Sequence, residues 1–158
     1  MKEVNIKEEY GNLAKKYKIP KFEVLNEEFE LDFIKEKQFL LRQVRRRINE
    51  KVIFFCRIVE GLLYPTPQNI VNATELNNFS NEKKVELEKI YKELMYYERS
   101  SLLLDVSPNE KKEIEYINSL FNFWGKIKKQ VEETVRTMQE SWKKDDKEEE
   151  KEKNNYFG

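Results

Sequence analysis

The chain has 158 residues, with 30 Lys+Arg balanced by 30 Asp+Glu, no histidine and one cysteine. That balance predicts no strong global attraction to nucleic acid. The missing histidine excludes Ser-His and Cys-His catalysis and every His-dependent metal set in the isolated chain, and a lone Cys56 excludes an internal disulfide framework or a Cys-based zinc site.

Four glycines and four prolines cluster outside the periodic segments, which favours helices over a turn-rich β fold. No window approaches the roughly 18 apolar residues of a membrane span, and the N-terminus is polar, so no membrane partner and a cytoplasmic location are expected. There is no phosphate loop and no Gly-rich dinucleotide turn, and no cofactor is expected.

In chain order, Asn5 to Tyr17 reads as a short amphipathic helix ending near Lys18, because Pro20 pushes Ile19 out of the α region. Residues 18–25 read as an extended connector whose Ile19, Phe22, Val24 and Leu25 lie on the body of the protein. Asn26, followed by Glu27 and Glu28, reads as the N-cap of a long helix. Its apolar side chains Ile34, Leu41, Val44, Ile48, Val52, Phe55, Val59 and Leu62 recur three or four apart, with no proline or glycine before Gly61. This predicts an uninterrupted rod over 26–63.

The residues Pro20, Phe22, Leu25-Asn26 and Glu28-Phe29-Glu30, with Leu40-Leu41-Arg42, Arg45-Arg46-Arg47, Glu98-Arg99-Ser100 and Glu140-Ser141-Trp142, resemble a pattern in uncharacterised small helical proteins of archaeal type. The resemblance implies a helical fold and carries no activity, cofactor or partner with it.

Pro65 and Pro67 must stop the long helix, and 65–79 reads as a spanner holding at most one turn through Ile70 and Val71. Ser80 is the expected N-cap of a second helix over 81–104, whose apolar stripe is broader than one seam needs. Ser107, Pro108 and Glu110 spell a capping box for a third helix over 108–143. Inside it Gly125 implies a close backbone approach beside Trp124 or a bend. From Lys143 the chain is so charged that 144–158 reads as a flexible tail or a solvated extension of the helix, closed by Tyr156-Phe157. The expected fold is an elongated antiparallel three-helix bundle over 26–143, with residues 1–25 laid on it and a charged tail over 144–158.

Residues 31–60 hold eight basic and four acidic side chains, the one local charge excess. Arg42, Arg45, Arg46, Arg47 and Arg57 therefore form a candidate face for nucleic-acid phosphates or an acidic partner. The competing expectation is that they pair with Glu86, Glu93, Glu132 or Glu133. Phe39, Ile53 and Phe54 lie off the core stripe and are candidates for contact with a partner protein, as are Tyr156 and Phe157 in the tail. Carboxylate pairs Glu110/Glu113 and Glu132/Glu133 would be needed for a Mg²⁺ site, yet they read as outward-facing among lysines, so neither a catalytic nor a metal residue is assigned. The function expected is non-enzymatic: an interaction or adaptor protein, a small subunit of a larger assembly, or a homodimer. A nucleic-acid-associated protein is the alternative, and a Mg²⁺-dependent nucleotide hydrolase stands third.

Overall fold

The computed structural model describes the backbone of residues 5–155 and the side chains of 5–143, and every described element is helical. The elements are α1 (Ile6–Tyr17), α2 (Phe22–Phe29), a single 3-10 turn (Leu31–Phe33), α3 (Leu40–Leu63), α4 (Ile70–Leu76), α5 (Asn81–Val106) and α6 (Glu110–Asn155). Tyr156 and Phe157 lie outside the described residues.

Helix α1 starts as expected. The Asn5 side chain accepts the Glu8 N–H at 3.1 Å, and Lys18 closes the helix in the left-handed region. Tyr10 is fully buried, donates its hydroxyl to the Pro20 carbonyl at 2.9 Å and sets its ring edge on Phe22. That anchor fixes the connector, which is the helix α2 rather than an extended strand of chain.

The uninterrupted rod over 26–63 does not form. Asn26 sits inside α2, and Glu30 ends that helix with φ 56°, its N–H bonded to the Asn26 carbonyl at 2.9 Å. The Asn26 side chain then accepts the Asp32 N–H at 2.8 Å and donates to the Asp32 carboxylate at 2.6 Å. It shapes the exit of one helix instead of starting another. This turn buries Phe29, Leu31 and Ile34 on one side, a gain of about 1.5–3 kcal/mol per large apolar side chain, which outweighs the cost of a left-handed glutamate. The chain stays irregular until Leu40, held by Gln43, whose amide donates to the carbonyls of Glu36 and Gln38. Phe39, φ 54°, is the last residue before α3.

Two compact units divide the chain, and α3, α5 and α6 contribute to both. The unit of residues 1–56 and 92–126 is built on Val44, Ile48, Leu94, Ile117, Leu120 and Trp124, with Leu25 and Leu31 packed in from the N-terminal elements. Phe29 and Phe55 close on the Trp124 ring at 6.1 and 5.3 Å between centroids, and the Trp124 indole N–H donates to Glu28 at 2.8 Å. Tyr116 donates to Asn49 at 3.1 Å, and Tyr97 lies between Tyr116 and Phe123.

In the unit of residues 57–91 and 127–158, Val59, Leu62, Phe79 and Leu87 form the core, with Ile58, Leu63, Tyr91 and Met138 packed on it. The 65–79 segment is tied down rather than looped. It carries the two-turn helix α4, whose Glu75 is buried and accepts the Trp142 indole N–H at 2.9 Å. Gly61 lets the Asn72 amide lie close to the α3 backbone, 2.6 Å from where a β-carbon would stand.

Ser80 caps α5, its hydroxyl accepting the Lys83 N–H at 3.2 Å. The cap of α6 is two residues later than the sequence suggests. Helix α5 runs on to Val106, the Ser107 N–H is spent on the Leu103 carbonyl, and the Asn109 side chain accepts the Lys112 N–H at 3.0 Å. Glu110 is thus the first residue of α6, and Glu113, expected on an outer face, turns inward and is 4% exposed. Gly125 has nothing within 4 Å of where its β-carbon would stand, so no close approach explains it. The backbone of α6 stays helical through Asn155.

Candidate interaction surface

The arginine run of α3 is resolved residue by residue, and all of it that lies before Cys56 belongs to the first unit. Arg45 is 0% exposed. Its Nε donates to Glu113 Oε2 at 2.6 Å, one terminal nitrogen to the Ser101 carbonyl at 3.0 Å and also to the Ser101 hydroxyl, and the other to Asp105 at 2.6 Å. Leu41, Arg45, Ile48 and Val52 share a helix flank, so the guanidinium enters the core with them. The planar fork of a guanidinium aims donors at three separated partners at once, which the single point of a lysine ammonium does not. Arg46 reaches the same Asp105 from outside, at 3.0 and 2.9 Å.

The electrostatics follow the geometry. Arg45 and Arg46 hold the Asp105 carboxyl below the usual aspartate range. Burial pushes the Glu113 carboxyl up, against the pull of Arg45 and Arg42. Burial alone would lower Arg45, but Asp105 and Glu113 together outweigh it and its pKa is raised.

The remaining arginines also face carboxylates. Arg47 pairs with Glu50 and, at 3.7 Å, with Glu30, while its guanidinium lies over the Phe33 ring. Arg57 is 2.8 Å from Glu60. Arg42 stands 4.0 Å from Glu113 and lies over Phe39. Two of the four partners expected for these arginines are engaged elsewhere: Glu86 and Glu133 bind Lys83 at 3.0 and 3.2 Å. Among the described residues no group of three or more His, Cys, Asp or Glu is placed to hold a metal ion. Nor is any described helix long and apolar enough to cross a membrane.

Of the candidate docking side chains, Phe39 and Phe54 are exposed and Ile53 is half-buried. A larger apolar surface lies on α5. Burial there takes Leu87, Ile90, Leu94, Glu98, Ser101 and Leu104, and leaves outside Tyr96 (67% exposed), Leu102, Leu103 (60%) and Val106 (83%). The sequence signal for it is the excess width of the α5 stripe. The inner flank of that row opens on a cleft of about 540 Å³, between Tyr96, Ser100 and Leu103 of α5 and Lys112, Glu115 and Ser119 of α6. Both rows advance by three or four residues, so the cleft runs along the helices for about 10–11 Å on the α5 side at 1.5 Å per residue.

No protein-family model, curated protein or solved structure matches the chain.

Proposed function

We propose that this chain is a non-enzymatic interaction protein that pairs with a second copy of itself through the outer face of α5, α3, α5 and α6 forming an antiparallel bundle that displays this face. The observation that carries the reading is the row Tyr96, Leu103 and Val106, three large apolar side chains at helical spacing and each more than half exposed. The same helix supplies both a ridge and one wall of the cleft beside it, so two copies related by a twofold axis would satisfy ridge and cleft together. Charge agrees with that pairing: exposed Arg99 lies on the ridge and exposed Glu115 on the opposite wall of the cleft.

Arg45 is enclosed, and Arg46, Arg47 and Arg57 face carboxylates, which supports a protein partner over a nucleic acid. Buried Cys56, a free thiol, fits a reducing compartment, and we place the protein's work in the cytoplasm.

Light scattering on a size-exclusion column tests the pairing. The expected mass is twice that of the 19.3 kDa chain at micromolar concentration, falling to the monomer in Leu103→Glu. Arg99→Glu and Glu115→Arg should each weaken the dimer and the double exchange restore it. A wild-type chain that elutes as a monomer across the concentration range overturns the reading.

A further inference from the structure

A second cleft, of about 450 Å³, opens in the same compact unit among α1, the start of α3 and the start of α6, and the self-pairing argued above makes no use of it. Five charged side chains line it: Glu9, Lys37, Arg42, Glu110 and Glu113. Three of them are already engaged. Lys37 lies 3.6 Å from Glu9, and Glu110 accepts the Tyr17 hydroxyl.

Arg42 and Glu113 are engaged only in part: Glu113 Oε2 holds Arg45 at 2.6 Å, and Arg42 and Glu113 Oε1 face each other as a loose ion pair. The Arg42 Nε–H has no acceptor and Glu113 Oε1 has no donor among the described residues, although these atoms stand only 4.0 Å apart and Glu113 is buried. Buried polar atoms without partners are rare and call for a reason. A shift of about an ångström would join the two directly. The guanidinium is instead drawn over the Phe39 ring, 4.8 Å from its centroid. Phe39 is itself in the left-handed region, φ 54°, with its ring 61% exposed at the mouth of the cleft. The Gln43 clasp on the segment before α3 imposes that conformation and sets the ring over the cleft.

We propose that this cleft binds a small zwitterion, an α-amino acid with an apolar side chain, whose carboxylate takes the Arg42 guanidinium and whose ammonium takes Glu113 Oε1. The charges select both ends. A bare anion would meet the three carboxylates of Glu9, Glu110 and Glu113, and a bare cation would meet Arg42 and Lys37; a ligand with both charges on neighbouring atoms spans a donor and an acceptor 4.0 Å apart. Leu13, Leu41 and Pro108 line the remainder of the cleft and suit an aliphatic side chain. Both orphaned atoms lie under the cleft surface, so the ligand reaches them only as the exposed Phe39 ring swings off Arg42, which keeps its place beside Glu113.

Isothermal titration of the full chain with L-leucine tests this, with 3-methylbutylamine and 4-methylpentanoate as the two half-ligands. Leucine should bind, and each half-ligand at least about tenfold more weakly. Arg42→Gln should lower leucine affinity by a similar factor at an unchanged melting temperature. Glu113 also holds Arg45, so Glu113→Gln could fail by unfolding; amide chemical shifts at Phe39, Leu41 and Asn109 in the wild-type chain supply the second readout and should move with leucine alone. No heat with leucine up to about 10 mM overturns the proposal. So does a half-ligand that binds as tightly as leucine, or an Arg42→Gln chain that binds leucine as well as the wild type.

Discussion

Arg45 and Glu113 meet at 2.6 Å with the arginine fully enclosed and the carboxylate almost so. Two charges taken out of water are repaid only by good hydrogen bonds, and Ser101 and Asp105 answer the two terminal nitrogens of Arg45. Removing one member leaves the others desolvated and unanswered. Arg45→Met, which keeps the volume of the stem, should cost about 3–5 kcal/mol, read as a lower urea midpoint at unchanged slope. Arg45→Lys should rescue little of this, since one ammonium cannot reproduce the planar fork that reaches α5 and α6 together.

The two carboxylates of this cluster should respond to acid with opposite signs. Asp105 is held by Arg45 and Arg46 below its ordinary value of 3.8, so its contribution is full above that pH and is lost as pH falls through the lower folded-state value. The stability gap between wild type and Asp105→Asn should therefore be widest near neutrality and close below pH 3.8. Glu113 is raised by burial above its ordinary 4.5, so its ionised form is a cost to the folded state that acid relieves. Relative to Glu113→Gln, the wild type should gain stability as pH is lowered from neutral towards 4.5. Thermal melts of the three chains at matched pH decide both signs.

Periodicity locates α1, α5, α6 and the buried row Leu41–Val44–Ile48–Val52–Val59–Leu62, because those positions answer to one local rule, burial of a helix face. It misses the breaks at Glu30 and Phe39 for a physical reason. Neither is glycine, and a left-handed glutamate or phenylalanine is imposed by tertiary burial around Leu31 and by the Gln43 clasp, neither of which is written in local propensity. By charge alone Arg45 is one of a run with its neighbours. The signal that separates it is its place four residues after Leu41 and three before Ile48, on the flank of the core, matched by Ser101 and Asp105 four apart on α5. A capping box at Ser107 is good local chemistry that loses to Asn109, the cap that brings Glu113 round to Arg45.

The left-handed positions and the glycines give a set of stability changes whose signs differ. Lys18 and Glu30 end their helices at φ 54° and 56°. Lys18→Gly and Glu30→Gly should each stabilise by about 1 kcal/mol; the second also removes an ion pair between Arg47 and an exposed carboxylate, which is worth little. Gly125→Ala, with open space around the new methyl, should gain up to about 1 kcal/mol from helix propensity. Gly61→Ala should lose a little stability at most, because only the end of the Asn72 side chain has to give way, and should turn favourable in an Asn72→Ala background. Urea titrations of the single and double variants measure each sign.

The two tryptophans both donate an indole N–H to a glutamate on a short helix, Trp124 to Glu28 on α2 and Trp142 to Glu75 on α4. Their surroundings differ. Trp124 is buried between Phe29 and Phe55 with the Lys51 ammonium 5.0 Å from its ring, whereas Trp142 is half exposed. A hydrogen bond to a carboxylate is worth about 1.5–3 kcal/mol when shielded and less where water competes. Trp124→Phe keeps an aromatic ring in the core but removes the donor and part of the volume, and should cost at least the upper part of that range. Trp142→Phe loses less ring burial but leaves the buried Glu75 carboxylate without this donor, and should cost about 1–3 kcal/mol. Each variant leaves the other indole as a fluorescent reporter of unfolding, so both losses can be read by the same measurement, and equal losses would show that the indole bonds, not the burial of the rings, set the cost.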